Sequence, residues 1–271
     1  MPLHEIISFA QYVVVGLSLA GFVVMLKRGM LREKYLRLGP TRDLHQPRVI
    51  YLVGTYLVMA YAVLKLQVGG DTGNELNAIV ELAPVIFIGL LFGLAMRFDA
   101  GFRKIGLLPR HPIRDLRWGL LGGVIGFGLA GLAGIAAAWM MYLLDEPVPD
   151  VSHETLVVLR ESFSVELLIG IVVSAVLVGP LIEELVFRGV LQTSLLRLMN
   201  GQRWLAILIS ALIFSAIHAW VVPMQALAPL FVLGLAFGYV YERTGSVLTP
   251  IIAHAVFNAM NIAIALTLPQ S

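Results

Sequence analysis

Six side chains that are costly in lipid fall within three apolar stretches of this sequence: Glu183, Glu184 and Arg188, then His218, then His254 and Asn258. The sixteen residues from Leu167 to Ile182 carry no charge at all, so the glutamate pair arrives where a membrane-spanning helix should still be inside the bilayer. Residues four apart share a helix face. Glu184 can therefore pair with Arg188, Phe214 lies on one face with His218, and His254 lies on one face with Asn258. Glu183 points about 100° away from Glu184 and need not be consumed by the Glu184–Arg188 pair. Some chemistries are excluded. The chain has no cysteine, hence no disulfide, thiolate metal site or cysteine nucleophile. Ser210 and Ser215 lie close to His218, but nothing places an acid to complete a triad. There is no HExxH zinc motif. What remains is a set of carboxylate, imidazole and amide groups. Either they converge on a protein-lined or water-filled cavity and act there, or they form a polar network that only locks helices together.

Depth is a test of convergence. A turn is expected at Asn200-Gly201, with Glu183 lying 17 residues before Asn200 and His218 lying 18 after it. At 1.5 Å per residue both are about 25 Å from the turn. The hairpin then extends past the membrane surface, with 190–203 as its amphipathic end. From the turn ERTGS, His254 and Asn258 are about 12–20 Å in. All four groups can meet in one half of the membrane.

The elements that must position them are helices. The 271 residues are 59% hydrophobic and 13% charged, against roughly 25% charged in soluble domains. In lipid every backbone polar group needs a partner, so apolar runs of about 20 residues span as helices. The reading is an all-α, polytopic membrane bundle of about eight transmembrane helices, near 6–26, 49–69, 78–96, 118–144, 166–184, 204–221, 225–241 and 247–267. The first is not read as a cleaved signal peptide, because Lys27 and Arg28 follow it rather than precede it. Sixteen of the 19 basic residues fall in alternate connections: 27–48, 97–117, the turn near 200, and Arg243. The other connections are acidic. The positive-inside rule makes the basic loops cytoplasmic and puts both termini outside. The glycines Gly119, Gly122, Gly123 and Gly126 form small-xxx-small pairs for close helix packing. Lys65 can snorkel and Glu81 lies near an interface, while His4, His45, His111 and His153 fall in loops or at the terminus. A net charge of +2 gives no reason to expect nucleic acid as a partner.

In order and interval, Glu183-Glu184-x-x-x-Arg188, Phe214-x-x-x-His218 and His254-x-x-x-Asn258, with the context YERTGSVLTPIIAHAVFN, resemble the CPBP family of intramembrane proteases (type II CAAX prenyl proteases, bacteriocin-processing and abortive-infection proteins). The resemblance covers roughly 165–262. It divides the chain into variable N-terminal helices, 1–160, and a catalytic core, 161–271, within one membrane domain. It implies peptide-bond hydrolysis in the membrane. Glu183 would be the general base acting with His218 on a water, His254 and Asn258 would hold the oxyanion, and Glu184, Arg188 and Phe214 would support the site. Metal-free glutamate chemistry is the favoured form and no cofactor is required by it. The alternative is zinc held by Glu183, His218 and His254 with water as fourth ligand. The implied partners are the lipid bilayer and a protein or peptide substrate, prenylated or membrane-tethered, and the expected location is a prokaryotic inner membrane. Two other classes share charges at membrane depth: an inactive membrane scaffold or chaperone, and a polytopic transporter. The complete motif set argues against the first, and the lack of an inverted repeat against the second.

Overall fold

A computed structural model describes residues 3–36, 111–146, 165–220 and 222–266. All regular structure among these residues is helical. The elements are α1 (Leu3–Lys27), the single turn α2 (Glu33–Leu36), α3 (Pro112–Leu143), α4 (residues 165–198), α5 (Arg203–Ile217), α6 (Leu227–Thr244) and α7 (Leu248–Ala265). Short 3-10 turns, His218–Trp220 and Met224–Ala226, lie between α5 and α6. Four helices are long and apolar enough to cross a membrane, in the ranges Pro112–Leu143, Leu168–Leu198, Met224–Thr244 and Leu248–Ala265. Two shorter apolar helices, Tyr12–Lys27 and Arg203–Ile217, match the first and sixth expected spans. The expected spans 49–69 and 78–96, with Lys65 and Glu81, lie outside the described residues.

α3 shows how the sequence sets a span. Pro112 opens it, where a missing N–H costs nothing. Its 32 residues reach about 48 Å, well beyond a hydrocarbon core of about 30 Å. One end carries Arg114 and Arg117. The other carries exposed Trp139 and Tyr142, whose rings meet edge-on at 6.2 Å, the residue types that favour a membrane–water interface. Between them the glycines do what their spacing predicts. A Cβ on Gly119 would come within 2.7 Å of Ile252, and one on Gly123 within 2.7 Å of the Ala253 carbonyl, so α3 lies directly on α7. Gly122 meets Val240 of α6 in the same way.

Two turns set the other packings. Asn200 and Gly201 both take left-handed backbone (φ 51° and 84°), and the Gly201 N–H returns to the Leu196 carbonyl, closing α4 and starting α5. Gly245 (φ 72°) caps α6, its N–H bonding to the Tyr241 carbonyl. Three arginines, Arg114, Arg203 and Arg243, lie together at one end of the described helices. Arg114 donates to the Thr244 carbonyl at 2.8 Å, Arg243 to the Tyr35 carbonyl at 3.0 Å, and Arg203 pairs with Glu242. The Trp204 indole N–H donates to the Leu31 carbonyl at 2.9 Å.

α4 runs helical to Leu198, with Gln192 and Thr193 buried against α6 and residues 198 and 200–202 exposed. Gln192 donates to Glu242 at 3.0 Å and to the Gly238 carbonyl, and Thr193 bonds to the Tyr241 hydroxyl at 2.9 Å. Two stretches of α4, Val173–Val178 and Leu185–Gln192, are wound as π-helix, which re-aims every side chain that follows.

Candidate active site

The glutamates stand at the joint between a short α-segment, Gly179–Glu184, and the second π-segment. Their fates differ as the helical spacing requires. Glu184 is fully buried and its Oε1 accepts from Arg188 at 3.0 Å. Arg188 is equally buried and donates again to the Gly234 carbonyl of α6 at 3.2 Å. Its guanidinium carbon lies 4.9, 5.4 and 5.9 Å from the ring centres of Phe214, Phe237 and Phe187. A cation in such a place is held by its carboxylate partner and by ring quadrupoles.

The same Glu184 oxygen also takes the Nδ1 of His254, at 3.0 Å from α7. His254 is stacked on Phe237 (centroids 4.9 Å, 25° between planes) and meets Phe214 edge-on at 6.2 Å. His218 lies against the same Phe214 ring, at 4.8 Å. Phe214 thus stands between the two histidines, on the face the i,i+4 spacing assigned to it.

His218 is at the C-terminal end of α5, and its Nδ1 bonds the Phe214 carbonyl at 2.7 Å. A carbonyl can only accept, so the proton is on Nδ1 and the lone pair of the neutral ring is on Nε2. That Nε2 is 4.0 Å from Glu183 Oε2. This is too long for a direct hydrogen bond. It suits a bridging water: one lying ~2.8 Å from each atom would subtend an angle of about 90°. Glu183 Oε2 is buried and has no protein partner. Both acceptors would draw hydrogens from that water, leaving its lone pairs directed away from them. Glu183 and His218 are the partly open members of the group, with side chains 24% and 20% exposed, whereas Glu184 and Arg188 are sealed.

Asn258 shares a face with His254 but bonds elsewhere. Its Nδ2 donates to the Ala175 carbonyl in the first π-segment at 2.6 Å. The structure therefore joins Glu183 with His218, and His254 with Glu184, and hangs Asn258 from the backbone of α4. Phe237, Gly234 and Ala175 had no signal in the sequence as site residues. The bond between His254 and Glu184 does not follow from the spacing within either helix.

Zinc requires ligands gathered around one point. Each histidine donates through Nδ1 and keeps Nε2 free, as a metal-binding imidazole does. Among the described residues, however, no three His, Cys, Asp or Glu side chains are grouped to hold an ion. The arrangement as it stands does not fit a three-ligand zinc centre.

Comparison with known proteins reaches the same stretch of chain. Residues 165–260 match the family described as type II CAAX prenyl endopeptidase Rce1-like. The chain is 30% identical over 235 residues to YdiL of Bacillus subtilis, described as a candidate membrane peptidase, covering 80% of this chain and 88% of that protein. It is 33% identical over 78 residues to an uncharacterised 24.3 kDa protein of Escherichia coli, covering 29% of this chain and 36% of that one. No solved structure matches.

Proposed function

The chain belongs to the CPBP family of membrane proteases, the family of type II CAAX prenyl endopeptidases, and within it we propose a metal-free endopeptidase in which Glu183 activates a water held jointly with His218. The observation that carries this reading is the 4.0 Å gap between Glu183 Oε2 and His218 Nε2, at the partly open edge of an otherwise sealed polar cluster. Glu183 would take a proton from the water as its oxygen adds to the carbonyl carbon of the scissile bond. The resulting oxyanion would be met by His254 and by the amide of Asn258. When the C–N bond breaks, protonated Glu183 would return its proton to the leaving amine, giving a carboxylate and an amine. With Nδ1 given to Glu184, His254 can offer a second N–H only as an imidazolium, and the Glu184 carboxylate lies beside it as counter-charge. Asn258 has a second N–H beyond the one given to Ala175. A donor aimed at an oxyanion in a dry site is worth about 2.7–4 kcal/mol.

The substrate we propose is a membrane-tethered protein or peptide, of which a prenylated CAAX-type terminus is one form. The basic end of the bundle, built from Arg114, Arg203 and Arg243, supports a cytoplasmic side there, in a prokaryotic inner membrane, with both termini outside. Helices up to residue 160 would be the variable part and 161–271 the catalytic core. The deciding experiment is cleavage of a membrane-tethered peptide by the purified protein in lipid, with Glu183→Ala beside it. Turnover by the parent and none by the variant supports the reading; equal turnover by both removes Glu183 from the mechanism.

A further inference from the structure

The Asn258 amide is seated by a gap in the backbone ladder of α4. In the π-segment Val173–Val178 the bonds run from residue i+5 to residue i, and the Gly179 N–H closes on the Ser174 carbonyl in that register. The next rung would run from residue 180 to the Ala175 carbonyl. Residue 180 is proline and has no N–H. A carbonyl left open at membrane depth has no water to turn to and is costly unless another donor arrives. The donor is Asn258 Nδ2, at 2.6 Å.

We propose that Pro180 is a positioning residue: by leaving the Ala175 carbonyl without its backbone donor, it makes that carbonyl the seat that orients the Asn258 amide. The amide is planar, so fixing one N–H fixes its plane and directs the other N–H about 120° away. α7 runs antiparallel to this part of α4. His254 bonds Glu184, Asn258 one turn later bonds Ala175, and Ile262 one turn later again packs on Leu168, Val172, Ala175 and Val176. The seat is therefore the rung next to the one that holds His254. Pro180 itself is buried, three residues before Glu183, so the ladder break and the proposed base share one short segment.

The proposal rests on the oxyanion role of Asn258, and its test separates the two. Pro180→Ala returns the missing N–H to the ladder and removes a proline from a helix, so the variant should fold with an unchanged or higher melting temperature in detergent. Its kcat should fall about tenfold with KM unchanged, as expected when a donor is misaimed only at the transition state. Asn258→Ala and the double variant should then be equal in kcat, because the seat matters only while the amide is present. In wild-type protein labelled with 15N-asparagine, one Asn258 amide proton should be shifted and protected from exchange and the other not. Where Asn258→Ala lowers kcat, wild-type kcat in Pro180→Ala or losses that multiply in the double variant would overturn the seat, and two equally unprotected amide protons in the wild type would overturn it in any case. Unchanged kcat in Asn258→Ala would instead remove the oxyanion role, with the seat still judged by the amide signals.

Discussion

His254 Nδ1 and Glu184 Oε1 are 3.0 Å apart across two helices, and that oxygen is the one that also receives Arg188. One buried carboxylate thus joins an intrahelical ion pair to an interhelical hydrogen bond. The two adjacent glutamates are consequently unequal in their surroundings: Glu184 is sealed and shared by Arg188 and His254, while Glu183 faces His218 with an Oε2 that has no hydrogen-bond partner.

Their amides should show it. Glu183→Gln keeps size and leaves the Glu184 cluster intact, so melting temperature should stay at the parent value while kcat falls by about 10²–10⁴. Glu184→Gln removes the counter-charge of a fully buried arginine, a loss of about 3 kcal/mol or more. A thermal melt and a single-turnover assay on both variants decide the matter. Similar melting temperatures for the two would contradict the partition.

Arg188→Lys tests the other half of the pair. Lysine keeps the charge but lacks the planar fork that reaches both Glu184 and the Gly234 carbonyl, and it cannot stack among Phe187, Phe214 and Phe237. We expect a loss of about 2 kcal/mol in stability, set by the desolvated cation–π contact, with activity reduced in step. Denaturation of the purified variant measures it, and a parent-like midpoint would mean that the cage contributes little.

What was legible in the sequence follows from where each contact closes. Glu184–Arg188 and Phe214–His218 close within one helix or at its end, where spacing alone brings residues together. The meeting of Glu183 with His218 followed from counting residues on either side of Asn200-Gly201. His254–Glu184 depends on how α7 is registered against α4, which apolar runs do not encode. Asn258–Ala175 is less visible still, because a backbone carbonyl has no side-chain signature and only Pro180, five residues on, betrays that it is open. The burial of Gln192 and Thr193 has no signal in the sequence, because a π-segment shifts the helical phase and LVFRGVLQ reads as ordinary helix.

Metal dependence has a direct test. If the water is held by Glu183 and His218 alone, exhaustive chelation should leave kcat unchanged, and elemental analysis of active protein should find no stoichiometric zinc. Activity lost on chelation and restored by zinc would establish the three-ligand alternative.

Topology can be read cleanly because the native chain has no cysteine. Gln202→Cys, exposed in the α4–α5 turn, should react with a membrane-impermeant maleimide only from the cytoplasmic side. Tyr142→Cys, 70% exposed at the other end of α3, should react from outside. Ser271→Cys should label with Tyr142→Cys. The reverse pattern would invert the orientation.

The packing of α3 on α7 links a distant glycine to the site. A methyl group on Gly123 would fall 2.7 Å from the Ala253 carbonyl and 2.7 Å from the Val256 Cβ, and backbone cannot move aside as a flexible side chain can. α7 would have to shift, and Ala253 immediately precedes His254. Overpacking of this kind costs about 1–3 kcal/mol. On the same helix, a methyl group on Gly131 would meet nothing within 4 Å, so Gly131→Ala brings no clash and gains up to about 1 kcal/mol of helix propensity. Gly123→Ala should therefore lower both melting temperature and kcat, and Gly131→Ala should lower neither. If Gly123→Ala lost stability yet kept full kcat, α7 would have accommodated the methyl group without moving His254 from Glu184, and the rigidity of that rung would have to be given up.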